Sequence, residues 1–183
     1  MGEYAETLVR GGRVSLWMAE QILKDVKPET FARKPNFGGK VIDTNHPAFV
    51  YGHLATYPSK WLSAIGPDAS IAAAPAKFDE LFAAGKPCLD DPTGTIYPPM
   101  KEITDAFFAT HKAALEVLGT TDDAKLHATN PREGRMKEMF PTVGGMLMFY
   151  MTSHMMMHLG QASAWRRCFG LGSAHGRACR ERL

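Results

Sequence analysis

Apolar residues recur at steps of three and four along four stretches of the chain, and each stretch reads as an amphipathic helix. The first runs from about Tyr4 to Asp25, with Leu8, Val9, Leu16, Ala19, Ile22 and Leu23 on one stripe. Gly11 and Gly12 weaken its early turns, Pro28 marks its end, and Arg33 to Gly39 reads as loop. The second begins near Asn45, a good N-cap, with Pro47 tolerated in the first turn because its missing N–H has no helical partner there. Val50, His53, Leu54, Tyr57, Trp61 and Ile65 follow on one face, and Pro58 should kink or break the helix just after His53. The third spans Met100 to Leu118, with Ile103, Phe107, Ala114 and Leu118 aligned and Gly119 as its stop. The fourth starts with Thr142 as N-cap and runs to about Phe169, where Gly170 and Gly172 end it.

Two long connections separate these helices. Gly66 to Pro99 holds a short helix over Pro75 to Ala84, because Phe78, Leu81 and Phe82 cover one face. A connection of that length is often functional or packs as a lid. Thr120 to Pro141 is polar and rich in turn residues. Strand signals are few, and there is no internal repeat. The pattern predicts an all-α fold, a four-helix bundle with long connections. Residues 1–172 read as one domain, and 173–183 as a short basic tail.

Composition narrows the function classes. At 183 residues the chain is long enough for one full hydrophobic core, and its 45% apolar content is ordinary for a globular protein. The formal charge of +2 comes from 21 basic and 19 acidic residues mixed along the chain, which argues against nucleic-acid binding. The exception is the cluster Arg166, Arg167, Arg177, Arg180 and Arg182, read as a solvated helix end and terminus. No apolar run approaches a membrane span, and no signal-like apolar core follows Glu3 and Glu6, so a cytoplasmic location is expected. Cys88, Cys168 and Cys179 are odd in number and form no CxxC pair, which suggests neither a disulfide framework nor a zinc ribbon.

The chemistry concentrates in Ser153-His154-Met155-Met156-Met157-His158-Leu159-Gly160-Gln161. His154 and His158 lie one turn apart and project from the same face. That face is also the apolar one, with Leu147, Met151, Ala162, Trp165 and Phe169. Imidazoles turned into a core need a hydrogen-bond partner or a metal. His53 sits on the apolar stripe of its own helix, so three core-facing histidines can converge. Neutral imidazole suits zinc, nickel or iron, and three protein ligands plus an open position is the usual form of a catalytic metal site. The competing reading is three core histidines, each bonded to a nearby carbonyl or hydroxyl.

Asn45-His46-Pro47 and Gly52-His53-Leu54, followed by His154-x-x-x-His158-Leu159-Gly160-Gln161 and Ala164-Trp165-Arg166-Arg167, resemble the DinB/YfiT-like superfamily. The resemblance implies a four-helix bundle with a divalent metal, often zinc or nickel, on His53, His154 and His158. It also implies frequent homodimers, and metal-dependent activities that use a low-molecular-weight thiol, such as S-transferases, with a metal-activated thiolate. A related hydrolase, or a bundle that binds metal or a small apolar ligand without catalysis, fits the same residues. The partner expected is a small-molecule substrate, not a nucleic acid or a membrane.

Other residues carry weaker expectations. His111 falls on the Ile103/Phe107 face as a core histidine, a supporting group or a fourth ligand. His46 suits a helix start better than ligation, and His127 and His175 should be exposed. Gln161 could orient a ligand histidine. Gly160 suits close helix packing. Tyr57 and Tyr150 could offer hydroxyls to a substrate, with core packing as the plainer role. Met155, Met156 and Met157 would soften the wall of the site, and the eight methionines from Met136 to Met157 read first as core filler. Asp90 and Asp91 read as turn residues.

Overall fold

The computed structural model describes residues 2–66 and 68–174. Helix α1 spans Glu3–Leu23. Its first turn is capped from a distance: the Asp123 carboxylate accepts from the backbone N–H groups of Tyr4 and Ala5 at 3.1 and 3.0 Å. The helix stops two residues earlier than its pattern suggests, because Asp25 turns the chain with φ 63°. A short helix, α2 (Pro28–Phe31), follows.

The stretch read as loop then forms a small hairpin, β1 (Asn36–Phe37) paired antiparallel with β2 (Lys40–Val41). Its turn is Gly38-Gly39, both at positive φ, which is the geometry a two-residue hairpin loop requires.

The expected second helix divides as Pro58 dictates. Helix α3 covers Pro47–Ala55, and α4, Pro58–Leu62, starts afresh with Pro58 in its first turn. The long connection contains α5, Lys77–Phe82. Farther along it, the Asp91 carboxylate accepts from the N–H groups of Thr95, Ile96 and Tyr97, the turn role expected of it. Asp90 instead pairs with Arg33, which crosses 57 residues of sequence at 2.8 Å.

Helix α6 is Met100–Gly119, and the polar stretch after it holds α7 (Asp123–His127) and α8 (Arg135–Met139). Helix α9 (Val143–Met148) begins at the Thr142 cap, whose side chain accepts from Gly145 N–H at 3.2 Å. A π-helical turn over Phe149–His154 leads without a break into α10, Met155–Cys168.

The fold is thus predominantly helical. Helix α1 packs against α6 and α10, and α3 packs against the same two, over a shared hydrophobic core. Trp61, Trp165, Tyr51, Phe82 and Phe107 are buried in it. Two buried polar side chains are tied to backbone: Tyr51 donates to Ala19 O at 2.7 Å, and Trp165 Nε1 donates to Arg33 O at 2.7 Å. No described helix is long and apolar enough to cross a membrane.

Three expectations need correction. Arg166 is not a solvated helix end but is 2% exposed. It donates to the carbonyls of Ile22, Lys24 and Leu171, closing the C-terminal ends of α1 and α10, where a cation is favoured. Gly160 does not serve close packing, since a Cβ there would meet nothing within 4 Å. The methionines are only partly core: Met146, Met151 and Met155 are buried, whereas Met139, Met148, Met156 and Met157 are exposed. The expectations for His175, Arg177, Cys179, Arg180, Arg182 and most of the 173–183 tail lie outside the described residues.

Candidate metal centre

The site begins at the N-terminus of α3. Pro47 occupies the first helical position, so the cap is the residue just before it, His46, and not Asn45 as expected. His46 Nδ1 accepts from Phe49 N–H at 3.2 Å, and its Nε2–H donates to Leu89 O at 2.8 Å. Burial pushes this imidazole down to about 4, and its helix-start role agrees with the expectation. Asn45 is released from capping, and its Nδ2 donates to Gln161 Oε1 on α10 at 3.0 Å.

One and a half turns along α3, Gly52 admits α5 against the helix: a Cβ there would lie 2.5–2.6 Å from the Phe82 ring. That approach brings Phe82 O to His53, whose Nδ1–H donates to it at 2.7 Å. His53 Nε2 is then the nitrogen left with a free lone pair. The long connection therefore reaches the candidate site through a backbone carbonyl.

On the opposite side, His154 closes the π-helical turn and His158 lies one turn into α10. Single π-turns are rare and concentrate at functional sites. His158 Nδ1–H donates to Gln161 Oε1 at 3.0 Å, leaving Nε2 free in the same way as in His53. His154 differs: its Nδ1 is buried and has no hydrogen-bond partner among the described residues. A buried unpaired polar atom costs its desolvation energy, and Arg166 Nε shares that state.

The three rings meet. Their centroids lie 4.7 Å (His53–His158), 4.8 Å (His154–His158) and 5.6 Å (His53–His154) apart. One nitrogen from each lies within 4.8 Å of the others, a cluster able to hold a metal ion. Burial and mutual repulsion push His154 down to about 3, and burial lowers His53 and His158. Hydrogen bonds to Phe82 O and to Gln161 oppose the shift in those two. All three are therefore neutral at pH 7, the form that binds a cation.

Aromatic rings border the cluster. The Tyr57 ring is 4.9 Å from His53 and 4.5 Å from His154, and Tyr150 is 5.7 Å from His154 and 5.4 Å from Tyr57. Both tyrosines are half-buried and pack against the core, the plainer role expected of them. Phe149 lies 5.7 Å from His154 and stacks on Phe140.

His111 is not in the cluster. It is buried, its Nδ1–H donates to Phe107 O at 2.8 Å, and burial pushes it down to about 4, the behaviour of a core histidine. Met156 and Met157 do not wall the site: at 39% and 56% exposure they point outward, as successive helical positions between two same-face histidines must. His127 is exposed, as expected. The half-buried Cys88 thiol is pushed up to about 11 by burial, so it is not a ready nucleophile.

Two supporting groups escaped the sequence. The Phe82 carbonyl carries no side-chain signal at all. Asn45 did carry one, since Pro47 in the first helical position makes His46 the cap and leaves Asn45 to bond elsewhere.

A sequence model of the DinB superfamily matches residues 17–162, a span that includes Asn45, the three histidines and Gln161. No curated protein and no solved structure matches the chain.

Proposed function

The chain belongs to the DinB superfamily, and from that premise we propose that it binds one divalent metal ion, zinc, nickel or iron, through His53, His154 and His158. Residues 1–172 form one DinB-like four-helix bundle in this reading, with 173–183 as an appended basic tail. The observation that carries it is the convergence of the three rings, one nitrogen of each within 4.8 Å of the others, with the Nδ1–H groups of His53 and His158 already engaged and their Nε2 lone pairs left free. Three convergent neutral imidazoles suit a borderline cation.

The activity we propose is metal-dependent, of the thiol S-transferase or hydrolase type, on a small-molecule substrate. A bound divalent cation lowers the pKa of a thiol or water on it, so the nucleophile forms near neutral pH. Phe82 O and Gln161 hold the rings of His53 and His158 by their Nδ1–H groups. Tyr57 and Tyr150 supply an aromatic border, and their hydroxyls make no hydrogen bond to the described residues, which leaves them able to donate to a substrate oxygen. The Gly66 to Pro99 connection shapes access from the α5 side. His111, engaged with Phe107 O, does not compete for a fourth position, which favours an open site over a closed structural one. A homodimer and a cytoplasmic location, both suggested by the resemblance or by composition, complete the proposal.

Elemental analysis of the purified protein and of His158→Ala, prepared identically, tests it. Near one metal per chain in the wild type, lost in a folded variant, is the expected result. A wild type that takes up no zinc, nickel or iron would mean three core histidines that hold no metal, and the enzyme reading would fall with it.

A further inference from the structure

Gln161 Oε1 accepts two hydrogen bonds, from Asn45 Nδ2 at 3.0 Å and from His158 Nδ1 at 3.0 Å. The Asn45 bond spans 116 residues and ties the start of α3 to α10. Both donors point at one oxygen, so the chain Asn45–Gln161–His158 has a direction. An amide has one acceptor end and one donor end. With Asn45 donating, Gln161 must turn its oxygen toward His158. His158 must then carry its proton on Nδ1 and keep the lone pair of Nε2.

We propose that Asn45 and Gln161 are positioning residues that lock His158 in its metal-binding tautomer through this directed relay. The inference rests on the metal-binding reading above. It differs from a merely structural tie between α3 and α10 in one respect: the polarity of the relay matters, and not only its presence.

Two near-isosteric substitutions separate these possibilities, because each adds one negative charge close to His158. Gln161→Glu leaves an acceptor facing both Asn45 and His158, so the relay keeps its direction. Asn45→Asp replaces the donor by an acceptor. Gln161 then turns its NH₂ toward Asp and presents the same NH₂ group to His158 Nδ1, which drives the proton to Nε2. Simple attraction for a cation would make both variants bind at least as well as the wild type. The relay predicts opposite results.

The experiment is a zinc titration against a chromophoric chelator on the wild type, Q161E, Q161L, N45D and N45A, with metal-free melting curves recorded beside it. We expect Q161E to bind zinc as tightly as the wild type or more tightly. Q161L and N45D should bind about 10–100-fold more weakly, the usual loss when the partner of a ligand histidine is removed. N45A, which loosens Gln161 without reversing it, should fall between. N45D binding as tightly as Q161E, or Q161L binding like the wild type, overturns the relay while leaving the metal site standing. A wild type that binds no zinc overturns the metal reading itself, and the relay with it. The melting curves show whether each variant folds, and the Q161E/N45D contrast holds even if Q161L does not.

Discussion

Gly52 and Gly160 offer the same chemical change in two helices with opposite expected signs. A helix-interior glycine is less favourable than alanine by about 1 kcal/mol, so on propensity alone both Gly→Ala substitutions stabilise. At Gly160 nothing lies within 4 Å of the added Cβ, and the site is exposed. At Gly52 the Cβ would sit 2.5–2.6 Å from three atoms of the Phe82 ring. Relief needs a displacement of about 0.8 Å to reach ordinary contact in a close-packed interior. The ring cannot give that easily: Phe82 is fully buried and packed against Phe78 at 5.1 Å, Tyr97 at 5.6 Å and Phe49 at 6.1 Å. Overpacking of this kind costs about 1–3 kcal/mol, and the rigid surroundings put it in the upper part of that range. After the gain in propensity, G52A should be destabilised by about 1–2 kcal/mol, a fall in Tm of about 2–8 °C for a chain of this size. G160A should rise by about 2–4 °C. Thermal melts in the presence of a chelator, followed by circular dichroism, measure both. The double variant with Phe82→Leu should recover part of the G52A loss, with a coupling of about 0.5–3 kcal/mol. A G52A protein melting at or above the wild-type temperature would refute the close approach of α5 to α3. That approach is what delivers Phe82 O to His53, so G52A should also weaken metal binding.

Three further predictions follow from the site and its supports. If Tyr57 and Tyr150 border an open metal position, benzohydroxamate should bind the zinc-loaded protein more tightly than acetohydroxamate by about 2–10-fold, the worth of an aromatic contact, and Y57A should erase the difference; calorimetry that finds equal affinities in the wild type would remove the tyrosines from the substrate site. His46 and His111 are each held near 4 when folded, below the 6.5 of the unfolded chain, so they favour folding fully above pH 6.5 and lose that contribution as pH falls toward 4. The metal-free protein should therefore lose stability by up to about 1.4 kcal/mol per pH unit for each histidine in that window, and an unchanged acid slope in His111→Leu would contradict the assignment. Arg166→Met strands the carbonyls of Ile22, Lys24 and Leu171 and should lower stability by at least about 2 kcal/mol, read as a Tm drop of about 4–8 °C; a change under one degree would show that solvent satisfies those groups.

The amino-acid sequence alone carried the helices, the break at Pro58, the Thr142 cap and the identity of the three histidines. These are local or periodic properties: a 3.6-residue repeat, a missing N–H and a spacing of four are visible in one dimension. It did not carry the π-helical turn before His154, since a widened turn depends on backbone hydrogen bonds that no side-chain pattern encodes. It misplaced Arg166 on the surface because a charged residue at a helix end is usually solvated, and only the packing of α10 on the end of α1 shows the carbonyls that receive it. It likewise read Met156 and Met157 as lining, where the helix turns them to solvent. The supports of the site, Phe82 O on His53 and Asn45 on Gln161, join residues 29 and 116 positions apart. Such contacts arise only when α5 settles on Gly52 and α3 docks against α10. Which residues could bind a metal was thus written in the sequence, whereas the nitrogen that His53 presents was decided by tertiary packing, because its Nδ1–H partner, Phe82 O, comes from 29 residues away and not from a neighbour along the helix.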